Sequence, residues 1–138
     1  MNNILVVLLA VLLSVKADEA NQKLKACCKS DPDVDPYCAK KYCNFNSIGQ
    51  FSVMPFLTEC SLRGKSATKV WECISSKHDH TDCCNSQNIF PLCRDFCNAS
   101  KSVPQDLMKY SICIREFEKY RACFKSYLKH NKPIRGGR

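Results

Sequence analysis

An all-α, small disulfide-rich helical fold is what this sequence predicts, and three observations carry it. Twelve cysteines lie in a chain of 138 residues. Apolar residues recur at helical spacing, with no sustained strand-like alternation. Pro, Gly and capping residues cut the chain into short segments. An apolar run over 4–13 precedes the cysteines and is too short to cross a bilayer as a helix of about 20 residues. With Val15-Lys16-Ala17 behind it, the run reads as a signal peptide of residues 1–17, cleaved before Asp18. Dense, even cysteines behind a secretory leader imply six disulfides made in an oxidising compartment. The chain is therefore expected to be secreted and extracellular, with no transmembrane segment once the leader is removed. One domain over 18–130 fits its length.

Residues 18–29, DEANQKLKACCK, run from acidic residues to lysine, the charge order a helix dipole favours. They read as a short helix into Cys27-Cys28. Pro32 and Pro36 make 30–36 a loop, with Asp35 as N-cap and Pro36 in the first turn of a helix through Cys43. Residues 44–53 read as a loop, and 54–63 as a helix around Cys60 ended by Gly64. Ser66 reads as the cap of a helix over 66–76 that carries Val70, Cys73 and Ile74 at helical spacing. Trp71 belongs in or beside the core. Ser102-Val103-Pro104-Gln105 reads as a capping box opening the clearest helix. There Tyr110, Cys113, Phe117, Tyr120, Phe124 and Tyr127 form one stripe. Residues 131–138 are expected to be a basic flexible tail.

The cysteines fall into two sets: Cys27, Cys28, Cys38, Cys43, Cys60 and Cys73, then Cys83, Cys84, Cys93, Cys97, Cys113 and Cys123. Gaps within the sets agree to within one residue up to the fifth cysteine, and the last gap differs by three. Pro36-Tyr37-Cys38 answers Pro91-Leu92-Cys93, and Tyr42-Cys43-Asn44 answers Phe96-Cys97-Asn98. Two six-cysteine repeats, about 27–73 and 83–123, explain this pattern. Adjacent cysteines point differently and should each bridge to a separate partner. Cys93 and Cys97, four apart, should share one helix face. The connectivity stays open, since twelve cysteines allow on the order of ten thousand pairings.

One cluster suggests chemistry. His78, Asp79, His80 and Asp82 are residue types that hold metals or act as general bases. A polar turn explains them better, its Asp and Thr side chains capping the segment that starts near Cys83. Residues two apart, as His78 and His80 are, do not share a helical face. A secreted phospholipase A2 would fit in size and cysteine count. That family places His-Asp after the double cysteine, as CCxxHD, whereas His78-Asp79 precedes Cys83-Cys84 and no glycine-rich calcium loop occurs. Without base and metal cradle that mechanism fails. No GxSxG, HExxH or phosphate-binding loop is present. No enzymatic activity, cofactor or metal is expected. Asn98-Ala99-Ser100 is an N-glycosylation sequon, set directly after Cys97, which would limit access to it.

The formal charge of +8 would become +7 on loss of Lys16 with the leader. Such a balance permits attraction to anionic glycans or lipid head groups, and secretion sets nucleic acid aside as a partner. Much of the excess lies at Lys125, Lys129, Lys132, Arg135 and Arg138, where solvated charge is the simpler reading.

CCKSDPDVDPYCAKKYC, then WECISSKHDHTDCC, then PLCRDFC through Cys113 and Cys123 closely resemble the DB module. That is a twelve-cysteine extracellular domain of unknown function, typical of nematode secreted proteins. The resemblance covers about 27–124, and the step Asp79-His80-Thr81-Asp82-Cys83-Cys84 is its most specific signature. It implies six disulfides, a secreted or ectodomain role and a worm lineage, and it supplies no reaction and no ligand. The expected function is thus non-enzymatic binding of another extracellular protein or an anionic glycan. The alternative is a basic defence or host-directed effector acting on anionic membranes or glycans.

Overall fold

The computed structural model describes residues 2–135, and for 13–18 the backbone alone. Among them six α-helices and two 3-10 helices follow one another and no strand forms. The all-α, disulfide-rich class is as expected. The α-helices are α1 (Asn2–Ser30), α2 (Pro36–Tyr42), α3 (Val53–Ser61), α4 (Ser66–Ser75), α5 (Thr81–Ser86) and α6 (Phe117–His130). The 3-10 helices are Pro91–Phe96 and Ser111–Glu116.

Helix α1 begins far ahead of Asp18, because the apolar N-terminal run holds no Gly or Pro to stop it. That run nevertheless stays outside the core. Ile4 and Leu12 are 69% and 60% exposed, whereas Ala20 and Leu24 are fully buried. From Ala20 onward α1 packs against α4 and α6. Lys23 Nζ donates to the carbonyls of Leu128, Lys129 and Asn131, each at 3.0 Å, and so caps the end of α6.

All twelve cysteines are bridged, and each set closes on itself. Cys27 pairs with Cys73, Cys28 with Cys43 and Cys38 with Cys60. Cys83 pairs with Cys123, Cys84 with Cys97 and Cys93 with Cys113. Both sets follow one order: first to sixth, second to fourth, third to fifth. Adjacent cysteines do reach separate partners. Trp71 is half-buried beside the core, edge-on to Phe124 at 5.3 Å.

Local signals are met where the cap is simple. Asp35 accepts the Tyr37 N–H at 2.8 Å, with Pro36 in the first turn, and Gly64 takes φ +63° beyond α3. Ser66 departs from expectation. It does not cap α4; it is buried, accepts the Asp35 N–H at 2.8 Å and donates to the Arg63 carbonyl at 2.7 Å. Its hydroxyl thus ties the start of α2 to the start of α4.

Two further expectations are corrected. The capping box at 102–105 opens no helix; the chain makes one turn after Asp106, then 3-10 helix, and α6 begins only at Phe117. Residues 103–109 offer no buried face, Leu107 and Met108 being 66% and 89% exposed, so an isolated turn has nothing to propagate it. The stripe survives in part: Cys113, Phe117, Tyr120 and Phe124 are buried, and Tyr110 and Tyr127 are half-buried. Cys93 and Cys97 do not share an α-helical face, because Pro91–Phe96 is a 3-10 helix with about 3 residues per turn. They diverge to Cys113 and Cys84.

The segment after α6 makes contacts of its own. Asn131 Nδ2 donates to the Tyr127 carbonyl at 2.8 Å. Arg135 Nε lies 2.9 Å from the buried carboxylate of Asp31, and its guanidinium also pairs with Glu72. Residues 131–135 are therefore fastened to the first half, while 136–138 lie outside the described residues.

Candidate functional site

The histidine cluster sits where α4 hands over to α5. Ser76 and Lys77 stop α4 with φ of 57° and 49°, the left-handed region in which a helix ends. The chain then leaves helical structure over His78, Asp79 and His80. The His80 N–H donates to the Cys97 carbonyl at 2.8 Å and the Ala99 N–H to the His78 carbonyl at 3.0 Å. Asp79 and Asn98 face each other in the antiparallel bridge so formed. This pairing joins the α4–α5 turn to the Cys84–Cys97 disulfide.

The side chains serve the same join. His80 is 4% exposed. Its Nε2 lies 2.7 Å from the Ser75 carbonyl, so Nε2 carries the proton and donates. The ring packs on Phe124 at 4.7 Å and edge-on to Tyr127 at 5.3 Å. Burial pulls its pKa below the ordinary imidazole value, against the opposing pull of the Ser75 bond. His78 is exposed and stacks on Tyr127, centroids 4.0 Å apart. Asp79 accepts the Thr81 hydroxyl at 2.5 Å and the Thr81 N–H at 3.0 Å. These two bonds hold its carboxylate below the usual range. Asp82 is exposed in the first turn of α5.

The cluster is thus a turn, as the sequence suggests, but a more structural one. Asp79 supplies the cap; the Thr81 hydroxyl is spent on Asp79 rather than on the backbone. Among the described residues no group of three or more His, Cys, Asp or Glu side chains is arranged to hold a metal ion. Nothing in the spacing pointed to Tyr127 or Ser75, which meet the histidines only through the fold.

Two features beside the cluster were not foreseen. An open polar groove of about 550 Å³ is lined by Thr81, Arg94, Asn98, Lys101, Gln105 and Tyr110, among others. In the first half, Glu59 gathers the hydroxyls of Tyr42 at 2.5 Å and Tyr37 at 3.1 Å, with Lys41 Nζ at 3.0 Å. The Tyr42 and Lys41 bonds hold the Glu59 carboxylate below its usual range. Burial and the Glu59 bond push the Tyr42 hydroxyl upward.

Fold and site together define a small helical domain of extracellular type, cross-linked throughout. The chain belongs to the DB module family, whose sequence model matches residues 27–124. It is also similar to the Ig-like and fibronectin type-III domain-containing protein 2 of Caenorhabditis elegans, 32% identical over 74 residues. That match covers 53% of this chain and 5% of the relative, so the chain corresponds to a small part of that protein. No solved structure matches.

Proposed function

We propose that the chain is a secreted, non-enzymatic module, its leader removed before Asp18, that binds another extracellular protein or glycan. In this reading it is built from two copies of a six-cysteine unit, which the shared pairing order supports. The observation that carries the binding role is a cross-linked frame holding large apolar side chains out in solvent. Phe51 is 92% exposed, Leu62 84% and Met108 89%. Exposed apolar groups on a pre-organised frame bind with little ordering cost. A relative whose name combines Ig-like and fibronectin type-III domains suits such a role.

The test is capture of purified extracellular proteins and glycans by the folded chain from Asp18 onward. Saturable binding that Phe51→Ser or Met108→Ser weakens tenfold or more, with all disulfides intact, is the expected result. Catalytic turnover without any bound partner would overturn it.

The formal charge of +8 favours a second reading, a basic effector acting on anionic membranes or glycans. Arg135 counts against it, since that charge is already taken by Asp31 and Glu72. Salt-sensitive binding to heparin or anionic vesicles, lost when Lys125, Lys129 and Lys132 are changed to Gln, would favour it.

A further inference from the structure

We infer that Asn98 carries an N-linked oligosaccharide whose first sugars occupy the polar groove beside the 78–80 pairing. The inference rests on the secreted reading above. The sequon Asn98-Ala99-Ser100 becomes informative through its geometry. The neighbours Cys97 and Ala99 are buried, 0% and 9% exposed. Asn98 between them is only half-buried and lines the groove with Thr81, Arg94, Lys101 and Gln105.

The amide is also used at one end only. Asn98 Oδ1 accepts the Ser100 hydroxyl at 2.5 Å and the Ser100 N–H at 3.2 Å. Its Nδ2 makes no hydrogen bond to any described residue. An unpaired amide nitrogen at the wall of a groove is the group that a sugar would modify. The groove, about 550 Å³, falls within the roughly 300–1,000 Å³ typical of small-molecule sites. Its walls carry a hydroxyl, a guanidinium, an ammonium and a carboxamide, which suit sugar hydroxyls and acetamido groups.

The donor is a polyprenyl-pyrophosphate-linked oligosaccharide. The bond formed joins Asn98 Nδ2 to the anomeric carbon of the first sugar. The bond broken joins that carbon to the pyrophosphate, which leaves with the lipid, and the amide gives up one proton. Because the Ala99 N–H is locked to His78 once folded, transfer takes place on the nascent chain, before the Cys84–Cys97 bridge closes.

The experiment expresses the full chain in a eukaryotic secretory host and measures intact mass, with ¹⁸O labelling of Asn98 upon enzymatic glycan release. Most secreted molecules are expected to be labelled at Asn98. Ser100→Ala should abolish the label and Ser100→Thr should retain it. Protein that reaches the medium bare at Asn98 overturns the inference while sparing the secreted reading; protein retained in the cytosol overturns the secreted reading itself. Seating in the groove is read from Lys101, whose acylation rate should rise several-fold in Ser100→Ala. An unchanged rate overturns the seating.

Discussion

Cys38 and Cys60 stand on regular α-helices, α2 and α3, whereas their counterparts Cys93 and Cys113 stand on 3-10 helices. The bridge between them is nonetheless made in both halves. The aromatic before the fourth cysteine behaves alike as well. Tyr42 meets Phe56 edge-on at 5.2 Å, and Phe96 meets Tyr110 edge-on at 5.2 Å. Three residues before the first cysteine the halves part company: Leu24 is buried in one and His80 in the other. Cross-links and aromatic pairs fix the path here, and the type of helix between them is negotiable. The first half closes with continuous α-helix, while the second spends a buried imidazole and a backbone pairing on the same task.

The largest test removes the outer bridges. Cys27 and Cys73 both changed to Ala, or Cys83 and Cys123, should each cost about 2–5 kcal/mol in urea unfolding. The cysteine separations, 46 and 40 residues, are close enough that chain entropy makes the two costs agree within about 0.2 kcal/mol. A gap of several kcal/mol would break the equivalence of the halves.

Next comes the Leu24–His80 difference. His80→Ala opens a void beneath Phe124 and Tyr127 and leaves the Ser75 carbonyl unpaired, costing about 2–4 kcal/mol. His80→Leu restores the residue of the first half and should cost less than half of that. The pH profile sharpens the point. The folded pKa of His80 lies below the unfolded value of about 6.5, so its neutral form is the one the fold accepts. Its share of stability is full above that pH and is lost as pH falls toward the folded pKa. His80→Leu should flatten this slope; an unchanged slope would place the titration elsewhere.

A smaller effect is expected at the strap between halves. Arg135→Ala leaves Asp31 buried without its cation and should cost about 2 kcal/mol. Combined with Asp31→Asn it should cost less than the sum, as a double-mutant cycle measures. The smallest effects distinguish two hydroxyls. Tyr120 donates to the Cys93 carbonyl at 2.5 Å in the core, so Tyr120→Phe should cost about 1 kcal/mol. Tyr42→Phe should cost less, because its partner Glu59 is 33% exposed and water can replace the lost bond.

Much of the architecture was legible because cysteine spacing is a covalent constraint written directly in the chain. The two sets, their separation and the divergence of adjacent cysteines all follow from it. The Asp35 cap and the Gly64 stop were legible for a similar reason, each depending on neighbours only. What stayed hidden depends on distant partners. Arg135 has the same local context as any basic tail residue, and only the fold brings Asp31 and Glu72 to it. The stripe from Tyr110 to Tyr127 gave the buried face correctly but not its helical extent, since periodicity cannot tell 3-10 from α over so few turns. At the histidine cluster the turn was legible, while the burial of His80 was not: an imidazole two residues from another reads as polar until Phe124 and Tyr127 cover it.

The Lys23 cap on α6 and the Arg135 pair with Asp31 bring the incoming and outgoing ends of the module side by side. A domain tied in this way does not lengthen a string of domains; it hangs from the string as a pendant. Tension along such a string would load the Lys23 and Arg135 contacts first and reach the disulfides only after they part. Residues 20 and 135 would therefore be the natural splice points for grafting the module into a host loop, with the six bridges left out of the line of force.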